Sequence, residues 1–139
     1  MKKIKLFVIC LITLVSCKSD EISVNKLVGE WSHTNMYKSK DSNGKWGEWY
    51  TLINITAMPT LGFTANGKIL SGGKISESCC SFKSYELNDN LINLTEPGLK
   101  GCATALCYPC NPWTIAKLTT ETLEIEFCNS AVRYTRVKK

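Results

Sequence analysis

Histidine is almost missing from this chain: His33 is the only one in 139 residues. That excludes a metal site built on paired imidazoles, and neither a Gly-x-Ser-x-Gly elbow nor a phosphate loop is spelled anywhere. His33 alternates in phase with Trp31, Asn35 and Tyr37, with no nucleophile and orienting carboxylate placed beside it. No catalytic residue is assigned, no cofactor is implied, and the chain reads as a non-enzyme. Long apolar runs are missing too. Leu6 to Val15 is the longest, half of the roughly 20 residues that a membrane-spanning helix needs. After the first 16 residues lysine and arginine do not cluster beyond the short end Arg133 to Lys139, so a nucleic-acid footprint is absent.

What is present begins at the amino terminus. Lys2, Lys3 and Lys5 precede Leu6 to Val15, and the sequence then turns polar at Ser16-Cys17-Lys18-Ser19-Asp20-Glu21. This is the charged and apolar pattern of a secretory signal. Leu14-Val15-Ser16-Cys17 resembles the lipobox of bacterial lipoproteins, in which the cysteine is acylated and the signal is cut away in front of it. The resemblance implies a signal over residues 1–16 and a lipid-bearing Cys17, palmitate included, that opens a linker over 17–25. A domain over 26–139 follows. One acyl chain binds a membrane only marginally and two or more bind it stably, so the membrane becomes a partner through the N-terminal lipid. Lys18 in place of aspartate implies, by the same resemblance, an outer-membrane lipoprotein of the cell envelope, facing the periplasm or the cell surface. Lys18-Ser19-Asp20-Glu21 looks like a surface-export tag, although such charged stretches also serve as plain linker.

Removing the signal leaves 139 − 16 = 123 residues, enough for one domain with a core. Three lysines leave with it, so 14 basic residues face 12 acidic ones. Cys10 leaves as well and Cys17 carries lipid, which leaves Cys79, Cys80, Cys102, Cys107, Cys110 and Cys128. An even number in an oxidising compartment points to disulfides. Six cysteines allow about 15 connectivities, and adjacent Cys79 and Cys80 are poorly placed to bond each other. Bridges from Cys79 and Cys80 to the Cys102–Cys110 loop are expected. Two alternatives compete: zinc held by Cys102, Cys107, Cys110 and Cys128, and a redox dithiol at Cys107-Tyr108-Pro109-Cys110. Zinc wants a second short spacing, and the dithiol wants a helix where Asn111-Pro112-Trp113 leads into a strand pattern, so structural bridges are favoured and no metal is assigned.

Period-two alternation runs through the rest. In Leu123-Glu124-Ile125-Glu126-Phe127 apolar residues take one face and the glutamates the other, predicted as solvated. The same pattern predicts strands near Trp31–Lys38, Trp46–Thr56, Leu61–Ala65, Lys68–Leu70, Phe82–Leu87, Leu91–Thr95, Trp113–Leu118, Leu123–Cys128 and Val132–Val137. Turns are expected at Asn66-Gly67, Asn88-Asp89-Asn90 and Asn129-Ser130. An all-β, up-and-down antiparallel meander of 8–9 strands follows, closed into a disulfide-stapled barrel because closure removes exposed edges. The loop Glu96–Pro112 is placed at its mouth.

Leu27-Val28-Gly29-Glu30-Trp31, Phe63-Thr64-Ala65-Asn66-Gly67-Lys68, Trp113-Thr114-Ile115-Ala116-Lys117-Leu118-Thr119 and Tyr134-Thr135-Arg136 are similar to the lipocalin-like domains of small bacterial lipoproteins, within the calycin barrels. The resemblance covers about Leu27 to Val137. It implies that Gly29 and Trp31 close one end of the barrel while Arg136, or as second choice Arg133, packs over the indole. Gly47-Glu48-Trp49 spells a second Gly-x-Trp. Trp31, Trp49, Ile53, Ile55, Phe63, Tyr85, Ile125 and Phe127 are the expected ligand-lining or core residues. The function implied is a membrane-anchored lipoprotein with a binding domain for a small hydrophobic ligand. Alternatives are a filled barrel acting as an envelope interaction or inhibitor module, and a thiol oxidoreductase.

Overall fold

Alternating apolar side chains with frequent turn residues build strands and little else. The computed structural model describes residues 22–53, 56–76, 78–97 and 110–138. Cys17, Ile55, Cys102 and Cys107 lie outside the described residues. One helical turn, α1 (Val24–Leu27), straddles the expected end of the linker at residue 25, and ten strands follow among the described residues. They are β1 (Gly29–Ser39), β2 (Tyr50–Thr51), β3 (Leu61–Phe63), β4 (Ile69–Ser71), β5 (Lys74–Ile75), β6 (Phe82–Asn88), β7 (Leu91–Pro97), β8 (Trp113–Leu118), β9 (Thr122–Phe127) and β10 (Ser130–Arg136).

The sheet is one antiparallel meander in the order β5-β4-β3-β1-β10-β9-β8-β7-β6, with β2 also on β1. The last strand returns to the first, Trp31 opposite Arg136 and Ser39 opposite Ser130. At the remaining seam the β3–β4 turn meets β6: Lys68 bridges Ser84, and the Tyr85 N–H donates to the Gly67 carbonyl at 2.8 Å. The result is an all-β, nearly closed barrel. Its interior is packed with Trp31, Phe63, Tyr85, Ile92, Ile115, Leu123, Ile125 and Tyr134, all buried.

Several expectations need correction. The strand over Trp46–Thr56 shrinks to β2 and an isolated bridge from Lys40 to Trp46. β3 takes the same edge of β1 at Gly29–Trp31, so β2 finds partners only at Met36 and Tyr37. The chain leaves the sheet at Leu52, whose N–H donates to the Asn35 carbonyl, and Ile53 points outward with 95% of its surface exposed. Ile53 is therefore neither core nor lining. Glu124, expected in solvent, is buried: Arg133 Nε lies 2.8 Å from its carboxylate, and Trp49 covers that guanidinium at 4.4 Å. The turn near Asn129 is centred one residue earlier, because Ser130 already pairs with Phe127, and Cys128 takes the positive φ of 46°.

The Asn66-Gly67 turn shows why the seam tolerates little change. Thr64 N–H bonds the Lys68 carbonyl, so the loop holds three residues, and Gly67 takes the φ of +74° that this loop requires. A β-carbon on Gly67 would sit 2.9 Å from the Tyr85 carbonyl oxygen. Gly67→Ala is expected to cost at least about 1–2 kcal/mol through the left-handed backbone alone. Equilibrium urea unfolding measures it, and an unchanged midpoint would refute the seam's rigidity.

Candidate functional site

The two ends of the barrel differ in chemistry. At the base, α1 and the entry to β1 meet the end of β10. Trp31 is fully buried, and its indole N–H donates to the Leu27 carbonyl at 2.9 Å. Arg136 stands over that indole at 4.1 Å. Its guanidinium donates to the carbonyls of Thr120, Val28 and Lys26. Gly29, at φ +138°, leaves the space that Arg136 crosses. All three guanidinium nitrogens thus bond backbone carbonyls, which makes this end a structural plug; a second hollow lies beside it, lined by Val28, Gly29, Glu30, Phe63, Thr64, Ala65, Leu70 and Gly73.

The opposite end carries a cavity of about 380 Å³, within the roughly 300–1,000 Å³ of small-molecule pockets. Its wall is assembled from strand ends. β3 and β4 supply Leu61, Ile69, Leu70 and Ser71, and the start of β6 supplies Phe82. Trp113 opens β8 and Phe127 closes β9, packed edge to face with centroids 4.9 Å apart. Ser76, Cys80, Ser81 and Cys110 complete the described rim. The Ser81 hydroxyl donates to the Ser78 carbonyl at 2.8 Å, which folds the rim loop on itself. The wall is thus mainly aliphatic and aromatic with hydroxyls at its edge, a surface suited to excluding water around an apolar group.

Disulfides staple this mouth. Cys110 bonds Cys128 with α-carbons 5.4 Å apart, tying the approach to β8 to the β9–β10 turn. Asn111 fixes the same approach, because its amide exchanges two hydrogen bonds with the backbone of Leu94, as a strand residue would. Cys79 and Cys80 are also disulfide-bonded. Cys110 is thereby removed from the expected partners of Cys79 and Cys80. The bridge also contradicts both the Cys107/Cys110 dithiol and the four-thiolate zinc reading, since each needs Cys110 unbridged to Cys128. Among the described residues no group of three or more metal-binding side chains is assembled. Non-reducing peptide mapping is expected to recover Cys110 linked to Cys128, and any other partner for Cys110 would overturn the staple.

The expected lining residues separate into four places. Phe127 borders the cavity, whereas Trp31, Phe63, Tyr85 and Ile125 fill the packed interior beneath it. Trp49 is half-buried on the outer face with Arg133 and Lys38, and Ile53 is in solvent. Leu61, Ile69, Leu70, Phe82 and Trp113 are not among the lining residues expected from the sequence. The usable signal was an aromatic opening a strand close to a cysteine, as in Phe82 and Trp113.

His33 belongs to neither end. Its Nδ1 accepts the Asn35 N–H at 3.0 Å, which places the proton on Nε2, donated to the Tyr37 hydroxyl oxygen at 2.9 Å. Tyr134 meets its ring edge on. Burial holds the imidazole below its ordinary pKa. A depressed folded-state pKa means that the neutral ring's contribution is present above the unfolded value of about 6.5 and is lost as pH falls below it. His33→Gln is expected to flatten the fall in stability between neutral pH and pH 5, measured by urea midpoints. An unaltered slope would place the titration elsewhere.

No protein-family model and no curated protein matches the chain. Among solved structures it is similar to a lipocalin-like protein from Bacteroides uniformis, at 15% identity over 81% of this chain and 99% of that one, with a TM-score of 0.37. The barrel described above rests on its own strand order and register.

Proposed function

We propose that this chain is an envelope lipoprotein, anchored by acylated Cys17, whose barrel holds one small apolar molecule in the mouth cavity without acting on it chemically. The cavity carries the reading: Leu61, Ile69, Phe82, Trp113 and Phe127 offer an apolar wall of ligand size at the one end of the barrel that the Trp31–Arg136 plug does not fill. Native mass spectrometry of the soluble domain from Lys18, purified from an oxidising periplasm, tests it. Expected are an oxidised mass six hydrogens short of the reduced chain and a small molecule lost on denaturation. An environment-sensitive apolar dye should also bind saturably, and Phe82→Glu should weaken it at least about tenfold, some 1.4 kcal/mol. Saturable binding untouched by that charge would move the ligand out of this cavity.

A second reading, the barrel as a protein-interaction module, is favoured by one surface. Tyr50 in β2 and Leu52, Ile53 and Met58 beyond it are exposed. Under that reading Ile53→Asp abolishes partner capture and leaves dye binding intact.

A further inference from the structure

The base and the mouth lie at opposite ends of the strands, and the chain enters at the base. Ile22 packs against the core, Leu27 is fully buried, and Arg136 clamps the carbonyls on either side of Leu27. The β8–β9 turn lies at the same end, where the Thr120 carbonyl accepts from Arg136. Trp113 and Phe127 mark the far ends of those two strands.

We infer that the anchored barrel stands on its α1 end with the cavity mouth directed away from the bilayer, so that its ligand is exchanged with the aqueous side rather than drawn from the leaflet that carries the anchor. This rests on the lipid attachment proposed above. Five peptide steps separate Cys17 from Ile22, and at about 3.6 Å each they reach no more than about 18 Å. β1 runs from Gly29 at the base to Ser39 at the mouth end. At about 3.3 Å per residue and the usual barrel tilt of about 40°, its axial length is about 25 Å. A mouth pressed to the membrane would lift Ile22 beyond the reach of its own tether. The base also carries groups that suit headgroups: Val24, 40% exposed, and Lys26 lie in α1, and Lys138 is 84% exposed with Glu121 at 3.4 Å. Basic residues near an anionic surface favour it, and an exposed aliphatic side chain fits the interface.

The test uses the full lipidated chain, isotope-labelled, in nanodiscs that contain a lipid with a gadolinium-chelate headgroup. The acyl mass on Cys17 is measured first on the same sample. An unacylated Cys17 sinks the anchoring reading and this inference with it. With the acyl mass present, amide signals of Val24–Leu27 and of Thr120 and Glu121 are expected to be lost while those of Trp113, Phe127 and Ser78 keep their intensity. Loss at the mouth, or equal loss at both ends, would overturn the orientation and leave the anchor standing.

Discussion

Trp31→Ala is expected to lower the unfolding free energy by about 3–5 kcal/mol, the largest effect of any single truncation in the barrel. The indole is fully buried, donates to Leu27 and lies under Arg136 at 4.1 Å, so its loss opens a cavity and frees two partners at once. Arg136→Ala is expected to cost less on its own, because the carbonyls it leaves sit at a solvent-accessible end. The pair should be coupled, with the double variant less destabilised than the sum of the singles by about 0.5–2 kcal/mol, as cation–π contacts allow. Arg136→Lys does not substitute, since one ammonium cannot reach three carbonyls in the fixed directions of a guanidinium. Gly29→Ala should reproduce much of the Arg136 loss by steric means: its β-carbon would lie 2.5 Å from the Arg136 Nη1, at a φ that side chains avoid. Urea unfolding of the five variants checks the set, and additive losses in the double variant would deny the plug.

The base was the legible part because its determinants are local and directional. Gly29-Glu30-Trp31 needs a glycine beside an indole, and the closing strand ends on an arginine. The spelling alone is ambiguous, since Gly47-Glu48-Trp49 repeats it. What separates the two is tertiary: Trp31 has β3 and β10 on its flanks, whereas Trp49 precedes a two-residue strand and lies across the outer face on Arg133. That same excursion explains Glu124. Alternation assigns it correctly to the outer face, but no periodicity reports that residues 40–52 fold back over that face and bury it with its arginine. Ile53 fails for the converse reason, as its alternation promises a strand whose place on β1 is already taken.

The mouth was less legible, because a cavity is a property of what strand ends leave unfilled. Phe127 extends a clear period-two run. Leu61 and Leu70 sit in three-residue strands, where alternation has too few residues to fix a face, and Phe82 is the first residue of its strand. β5, two residues long, leaves almost no pattern. Cysteine counting gave the staple but not its pairing, since spacing along the chain says little about which turn stands over which loop.

Replacing Cys110 and Cys128 together by serine is expected to lower stability by about 3 kcal/mol, because an 18-residue separation is closed by the bridge. For a domain of this size that shifts the melting temperature by roughly 10 °C. The loss should be uneven. The bridge holds the β9–β10 turn, with Cys128 at φ 46°, against the approach to β8, and Trp113 and Phe127 meet just inside it. Without it those aromatics lose their fixed spacing while the Trp31–Arg136 plug keeps all its contacts. Affinity for an apolar dye should therefore fall more than about tenfold at a temperature where the variant remains folded, with base amides keeping their exchange protection. Stability lost with affinity retained would mean that the cavity is shaped by β3, β4 and β6 alone. Affinity lost together with protection at the base would mean that the two ends of the barrel unfold as one unit.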